Sequence, residues 1–151
     1  MLFQRINRSN PEKVFIVVYN SYSTAALTNG QAVNWDFITD IDGVGVTMPL
    51  ARATNAGVAG AGIVAETIAA GAYGLLQVYG YHSSTMVRSI TTGGPNIAAG
   101  RPLALNAAGS VFCLESYKTA SNVIQVHPLG IALAASDKWT TARIAVFIKA
   151  L

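Results

Sequence analysis

Apolar residues recur along this chain in short runs and alternating stretches, not at helical spacing. The run Val14–Tyr19 consists of β-branched and aromatic residues. Ala32–Phe37 alternates between apolar and polar positions, and Val44, Val46 and Met48 repeat with a period of two. A period of two is typical of a half-buried strand, whereas a continuous apolar run is typical of a buried one. The pattern therefore predicts a buried strand at Val14–Tyr19 and half-buried strands at the other two positions.

Short strands are also predicted through the rest of the chain, separated by turns rich in glycine. They are Ile63–Ile68, Tyr73–Tyr81, Leu103–Leu105, Val111–Leu114, Val123–Val126, Gly130–Ala134 and Ala142–Lys149, with loops at Asn20–Gln31 and Asn55–Gly62. The only helix to consider lies in Ala51–Ala70, where glycines and the lack of a 3.6-residue period argue against it. Many short strands joined by turns favour a sandwich or barrel.

The predicted fold class is therefore all-β, a small β-barrel or β-sandwich with an extended N-terminal arm. Residues 1–13 are polar and lack a periodic pattern, so we assign them to the arm. Residues 14–151 are assigned to a single β domain, because a chain of 151 residues is long enough for one full hydrophobic core but cramped for two.

The chain has few charges: 11% of its residues are charged and 52% are hydrophobic, with a mean hydropathy of +0.41. Soluble domains carry about a quarter charged residues, so the deficit indicates either a membrane segment or a surface covered by other subunits. The longest uncharged run, Thr67–Val87, is interrupted by glycines and polar residues, and Met1–Pro11 has no apolar stretch. We therefore expect no membrane partner and no export signal.

The net charge of +3 comes from 10 basic and 7 acidic residues spread along the sequence. Nucleic-acid binding needs clustered Lys and Arg, so no nucleic-acid partner is expected.

Candidate catalytic and metal-binding residues are sparse. Gly60, Gly62 and Ala65 match a dinucleotide fingerprint by letter, but no strand is predicted before them and no acidic residue follows at the required distance. The cluster of Asp36, Asp40 and Asp42 lacks the rest of a calcium loop, and capping of a turn explains it better. A pair of catalytic carboxylates stays open, because their separation cannot be read from sequence.

The remaining titratable side chains give no catalytic pattern either. His82 lies beside Ser83 and Ser84, but no nucleophile motif surrounds it, and His127 precedes a proline. Structural roles are favoured for both histidines. Cys113 is the single cysteine and has apolar neighbours, which predicts a buried thiol and excludes a cysteine-based zinc site. We predict a non-enzymatic protein with no catalytic residue, cofactor or metal.

Aromatic residues offer the other possible chemistry. Tyr73, Tyr79 and Tyr81 occupy odd positions of one predicted strand and should share a face, which could stack sugars or bases. Packing in a core or against another subunit is the favoured role for this face. The same role is expected for Trp35 and Trp139.

Three phrases of the sequence resemble small head proteins of tailed phages. The first is Ile68–Gly80, with the form aaG-x-YG-x-x-Q-x-x-G; the second is Ala98–Leu103, with the form aaGrpL; the third is Leu129–Ala135, around G-I-A-L-A-A. The resemblance covers about the last ninety residues. It implies a small β-barrel-like module used in capsid decoration and related parts of the virion.

The resemblance implies a capsid decoration (cement) protein on the outer surface of a phage head. Its expected partners are the major capsid protein and further copies of itself, with a trimer as the first expectation. Within the arm, Phe3, Arg5, Ile6 and Arg8 are the predicted partner-binding residues, since two cations and two apolar anchors suit an acidic capsid surface. The alternatives are another virion part (tail, collar or head-fibre base) and a carbohydrate-binding module.

Overall fold

The computed structural model of the protein describes residues 12–40, 43–49, 60–88, 97–105, 114–116, 128–136 and 141–150, with backbone alone at 115 and 116. This part of the chain contains strands and no helix. The strands are β1 (Lys13–Asn20), β2 (Ala32–Trp35), β3 (Gly45–Thr47), β4 (Gly60–Val64), β5 (Tyr73–Arg88), β6 (Pro102–Leu105), β7 (Leu114–Ser116), β8 (Gly130–Ala132) and β9 (Ala142–Lys149). The predicted all-β class is therefore confirmed. Within the described residues no helix is long and apolar enough to cross a membrane.

All nine strands belong to one sheet, which closes on itself twice. Its order is β1-β3-β2-β4-β5-β7-β6-β8-β9, and additional pairings join β1 to β5 and β5 to β9. The first closure makes a five-stranded ring of β1, β3, β2, β4 and β5, which we call the N-terminal ring. The second makes a ring of β5, β7, β6, β8 and β9, the C-terminal ring. Closure removes most of the open sheet edge that would otherwise invite unwanted pairing.

The long strand β5 is shared by the two rings. Its first half, Tyr73–Gly80, pairs with β1, and its second half pairs with β9 from Tyr79 to Val87. Each pairing contains one irregularity, between Val14 and Phe15 on the β1 side and between His82 and Thr85 on the β9 side. Bulges of this kind increase the local twist and bend of a strand, which allows one strand to follow two small rings.

Each ring surrounds its own hydrophobic cluster. The cluster of the N-terminal ring contains Val18, Leu27, Val33, Val46, Ala61, Val64, Ile68, Leu76 and Val78. The cluster of the C-terminal ring is built from Val87, Ile97, Leu103, Leu105, Leu114, Leu129, Ala132, Ile144, Val146 and Ile148, together with Ala32 and Ile63 from the outer side of the first ring. Because Ala32 and Ile63 join the second cluster, the two rings are packed together.

The two rings are structural repeats of one another. Each ring has five strands, β1 to β5 in the first and β5 to β9 in the second, and the same strands pair in both. The first strand of a ring pairs with the third in parallel orientation. All other neighbouring strands of the ring are antiparallel: third with second, second with fourth, fourth with fifth, and fifth with first. An isolated bridge joins Leu27 to Ile68 in the first ring and Ile97 to Ser136 in the second. The sequence hides this repetition, because the equivalent stretches LTNGQAVNW (27–35) and IAAGRPLAL (97–105) have only the glycine in common.

A turn of the N-terminal ring lies against the second half of β5. The backbone N–H of Met86 donates a 2.8 Å hydrogen bond to the carbonyl of Gly30. From β9, Arg143 Nη1 donates to the carbonyl oxygens of Asn29 at 2.9 Å and of Ser84 at 3.0 Å. The Asn29–Gly30 turn is thereby held between β5 and the Arg143 side chain, which fixes how the two rings meet.

The topology corrects several boundaries predicted from sequence. Strands β2 and β8 end earlier than predicted, at Trp35 and Ala132, and three further corrections concern β4 and β5. Gly60–Gly62 was predicted as loop and forms the start of β4, which ends at Val64 and not at Ile68. Gly62 has φ +149°, and a Cβ there would lie 2.6 Å from the carbonyl oxygen of Gln77. Glycine is needed at Gly62 because β4 approaches the backbone of β5 closely.

The third correction concerns the polar segment after Tyr81, which continues β5 as far as Arg88. The predicted strand Val123–Val126 lies outside the described residues, as do 51–59 of the helix considered for Ala51–Ala70.

Candidate interaction surface

The outer side of the N-terminal ring carries a face of exposed apolar side chains. In the register of β1 and β5, Val17 lies opposite Leu75 and Tyr19 lies opposite Tyr73. The exposed fractions are 43% for Phe15, 61% for Val17, 68% for Tyr73 and 37% for Leu75. We call Phe15, Val17, Tyr19, Tyr73 and Leu75 the β1–β5 face.

The alternation of the two strands produces this face. Val18 and Leu76 point into the ring and are fully buried, so their neighbours Val17 and Leu75 must point outward. The rings of Tyr19 and Tyr73 pack at 5.2 Å between centroids with a tilt of 55°. No residue of the face carries a charge. Contiguous exposed apolar surface of this kind marks sites of contact with other proteins.

The sequence analysis missed this face. Val14–Tyr19 was predicted as a buried strand, but Val18 is its one buried side chain. Val14 and Ile16, which also point into the ring, are partly buried. An uninterrupted apolar run is equally compatible with a strand buried on both sides and with one that exposes an apolar side. The sequence does not show whether another segment covers the second side of the strand. The tertiary structure shows that none of the described residues does so.

The backbone of β1 is open along one edge. Strand β3 pairs with β1 only at Tyr19 and Asn20, so within the described part of the chain no strand lies beside Lys13–Val18 on that edge. Tyr19 donates its N–H to Val44 on this side, and Asn20 donates to Ala72 on the other. Because alternate residues direct their N–H groups to alternate edges, Val17 directs its N–H to the open edge.

The three tyrosines predicted to share a face do not form one open aromatic surface. Tyr73 packs with Tyr19, whereas Tyr79 packs edge-on against Phe147 at 5.2 Å with an interplanar angle of 82°. Tyr79 and Tyr81 are half-buried. Six residues separate Tyr73 from Tyr79, which is about 20 Å along a strand. The β1–β5 face therefore contains Tyr73 alone of the three.

His82 is buried and accepts hydrogen bonds at the irregularity of β5. Its Nδ1 accepts from the backbone N–H of Ser84 at 3.3 Å and lies 3.0 Å from the Thr85 hydroxyl. Burial lowers the pKa of the imidazole, and the positive charges of Lys13 and Arg143 lower it further. An unprotonated Nδ1 that accepts from the backbone agrees with the hydrogen-bonded structural role that the sequence favours for His82, and that role stays a prediction.

Asp36 and Asp40 cap the turn that follows β2. Asp36 is buried and accepts from the Ser21 hydroxyl at 2.6 Å and from the Thr39 N–H at 3.2 Å, and the Thr39 hydroxyl also donates to it. Burial raises the pKa of this carboxyl, but the hydrogen bonds from Ser21, Thr39 and Ile38 outweigh that effect and lower it overall. Asp40 accepts from the Gly45 N–H at 2.5 Å. This is the predicted turn capping.

Other predicted residues lie outside the described part of the chain. These are the arm residues Phe3, Arg5, Ile6 and Arg8, as well as Asp42, Cys113, His127 and Trp139. Among the residues that the structure does describe, no group of three or more His, Cys, Asp or Glu side chains is placed to hold a metal ion.

The chain was compared with family models, with curated proteins and with solved structures. No family model matches the chain, and no curated protein matches it. Among solved structures, the N base of the head fibre gp8.5 of bacteriophage phi29 superposes with a TM-score of 0.49 and 9% sequence identity. The superposition covers 92% of this chain and 96% of that chain.

Proposed function

We propose that this chain is a structural component of a tailed-phage virion and works by binding other protein subunits. The observation that carries the proposal is the β1–β5 face, an uncharged surface with apolar side chains exposed by up to 68%. A soluble protein that functioned alone would gain nothing from such a surface, whereas a subunit of an assembly covers it. The low content of charged residues, 11%, fits the same role.

The phrases that resemble phage head proteins support the proposal from a second direction. Ile68–Gly80 spans the bridge to Leu27 and the first half of β5, Ala98–Leu103 spans a turn and the start of β6, and Leu129–Ala135 contains β8. Strand β6 pairs with β8, and Gly100 donates its N–H to Ala132 at 2.7 Å. The three segments lie at turns and strand pairings of the rings. The resemblance to phage head proteins is therefore a resemblance in the residues that form the fold.

Within this class we propose capsid decoration first, with attachment to the major capsid protein on the outer surface of the head. The alternative is a tail, collar or head-fibre base component. The two differ in copy number, because a decoration protein follows the capsid lattice in hundreds of copies while an appendage occurs in far fewer. The proposal assigns no enzymatic activity and no cofactor to the chain.

The experiment is to purify the particles of the phage that encodes this chain and to count its copies by quantitative mass spectrometry against the major capsid protein. A copy number in a simple ratio to that of the major capsid protein supports decoration, and a small fixed number of copies per particle supports an appendage. Absence of the chain from purified particles would overturn the proposal. A second measurement is the rebinding of recombinant protein to particles that lack it.

A further inference from the structure

The irregularity in β5 lies at the place where the two rings meet. The register of β5 with β9 passes from His82 directly to Thr85, so Ser83 and Ser84 have no assigned partner on β9. A bulge of this kind takes backbone groups out of the ladder, and other groups must then bind them. The N–H and the carbonyl of Ser84 are both bound by side chains, one from β5 and one from β9.

His82 binds the N–H of the bulge. Its Nδ1 lies 3.3 Å from the backbone nitrogen of Ser84 and 3.0 Å from the hydroxyl of Thr85. A backbone N–H can only donate, so Nδ1 is the acceptor and carries no proton. His82 is buried and Thr85 is fully buried. The neutral imidazole is therefore the form that fits the bulge.

Arg143 binds the carbonyl of the bulge and connects it to the other ring. Its Nη1 donates to the carbonyl oxygens of Ser84 at 3.0 Å and of Asn29 at 2.9 Å. A Cβ on Gly30 would lie 2.2 Å from the Ser84 carbonyl oxygen, so the turn lies directly against this peptide group. The Met86 N–H donates to the Gly30 carbonyl at 2.8 Å. The position of Ser84 thus decides whether the turn of the N-terminal ring stays in contact with β5.

From these contacts we propose that His82 is an acid-sensitive latch between the two rings, and that protonation of its Nδ1 releases Ser84 and the Asn29–Gly30 turn. A protonated Nδ1 is a donor, so it cannot accept the Ser84 N–H, and two donors then face each other. The Ser84 peptide group must move, and its carbonyl is the group on which Arg143 and the turn depend.

The charges around His82 act in the same direction. Among the described residues, the charged groups that act on its imidazole are Lys13 from β1 and Arg143 from β9, and both are positive. Burial, and then these two charges, hold the pKa of His82 below its ordinary value of 6.5 in the closed junction. The open junction takes up a proton more readily, so opening is favoured as the pH falls below about 6.5. Once charged, the imidazole also repels the guanidinium that holds the turn.

The junction can open without the unfolding of either ring. The backbone of β5 continues through both rings, and Ala32 and Ile63 of the first ring pack in the hydrophobic cluster of the second. We therefore expect acid to cause a local loss of contact at the Asn29–Gly30 turn. The latch is independent of the proposed function, because it needs no partner protein.

The test follows hydrogen exchange at the Met86 amide, whose bond to Gly30 exists only while the turn is in place. Protection is measured relative to the intrinsic exchange rate at about pH 7.5 and about pH 5, with and without a low concentration of urea. Proton uptake shifts an opening equilibrium by up to about tenfold for each pH unit, so we expect protection at Met86 to fall roughly tenfold or more in acid. The amides of Ile68 and Ile97, each bonded within one ring, are the internal controls.

Urea distinguishes the latch from general acid unfolding. Local opening exposes little surface, so exchange at Met86 in acid should be faster than at the control amides and should not depend on urea. Equal protection of Met86, Ile68 and Ile97, or exchange at Met86 that accelerates with urea, would show global unfolding and overturn the latch.

Two histidine variants assign the effect to one residue. His82→Asn can accept the Ser84 N–H without titrating and should remove the pH dependence at Met86, whereas His127→Asn, which replaces the other histidine of the chain, should preserve it. In the wild type, nuclear magnetic resonance should give the same titration midpoint for the His82 imidazole and the Met86 amide. Different midpoints, or a wild-type pH dependence in His82→Asn, would contradict the proposal.

Discussion

Gly30 and Gly100 occupy the same place in two successive rings and differ in what lies beside them. Both have a positive φ, 83° and 84°, and both follow a β-bridge by three residues. A Cβ at Gly30 would lie 2.2 Å from the carbonyl oxygen of Ser84 and 2.6 Å from Nη1 of Arg143, whereas among the described residues no atom lies within 4 Å of a Cβ at Gly100. Because the two glycines have the same backbone conformation but different neighbours, substitutions at the two positions allow the cost of backbone strain to be measured separately from the cost of steric overlap.

The substitutions Gly30→Ala and Gly100→Ala should therefore have unequal effects. A non-glycine residue in the left-handed region costs about 1–2 kcal/mol, and both variants incur that cost. Gly30→Ala additionally forces the turn away from β5, so we expect its free energy of unfolding to fall by roughly 3–4 kcal/mol in total. Urea denaturation of both variants measures the difference. Equal losses would show that the turn does not depend on its contact with β5.

Arg143→Ala should loosen the junction between the rings. The guanidinium donates to the carbonyls of Asn29 and Ser84. Because the side chain is exposed, we expect its removal to lower the free energy of unfolding by only about 1 kcal/mol. Lys149→Ala is the control, since Lys149 is an exposed cation on the same strand β9. The readout is the free energy of unfolding together with hydrogen exchange at the Met86 amide, which should become faster in Arg143→Ala only. Unchanged exchange would mean that Arg143 does not hold the turn.

His82 should make the protein less stable in mild acid. The pKa of its imidazole in the folded protein lies below the ordinary value of 6.5 because of burial and of the charges on Lys13 and Arg143. As pH falls through about 6.5, the unfolded chain binds a proton that the folded protein does not, so stability declines below that pH and is unaffected by this group above it.

The control for this pH dependence is His82→Asn, whose side chain can accept from the Ser84 N–H without titrating. We expect the free energy of unfolding of the wild type to fall between about pH 7 and pH 5.5. The decline should be shallower in the variant. Parallel pH profiles for the two proteins would assign the acid sensitivity to another group.

Two fully buried asparagines should respond in opposite ways to replacement by valine. Asn20 donates to the carbonyls of Ile68 and Ala69 at 3.0 and 3.2 Å and accepts from the Tyr22 N–H at 3.0 Å. Asn34 is equally buried on β2, but neither its amide nitrogen nor its oxygen has a hydrogen-bond partner in the described part of the structure. A buried amide without partners costs about 1–3 kcal/mol.

Asn34→Val should therefore leave the protein as stable or make it more stable, because valine also suits a strand. Asn20→Val should destabilise the protein by several kcal/mol, because it leaves buried carbonyl and N–H groups without a hydrogen-bond partner. Thermal and urea denaturation of the two variants decide between these outcomes. A large loss in Asn34→Val would show that its amide makes a polar contact on which the fold depends.

Most strand positions were readable from the sequence because their signals are local. Ala142–Lys149 was predicted as a strand with its observed bounds, and the run Val14–Tyr19 lies within β1. A glycine-rich turn was also predicted between the strands Ile63–Ile68 and Tyr73–Tyr81, and Gly71, which lies there, has φ 71°. Alternation and turn residues act within a few positions of the chain, so a single sequence carries them.

Other features depended on partners distant in the chain. Gly60–Gly62 looks like loop because it has almost no side chains, yet it is a strand because β2 and β5 lie beside it. The segment after Tyr81 looks polar, yet His82 and Thr85 are buried because β9 pairs with them. In these segments the strand is stabilised by hydrogen bonds and burial against strands distant in the sequence, although the residues themselves have little preference for a strand.

From the amino-acid sequence alone it follows that this protein consists of short strands and turns, has few charges and has no recognisable catalytic motif. That β5 belongs to two rings, that the rings are repeats, and that the described residues leave one side of β1 as an exposed apolar face became known only from the fold. The alternation of residues along a strand shows which side chains share a side, but it does not show what packs against that side. Cover comes from segments far away in the chain, and on the outer side of β1 the described residues supply none.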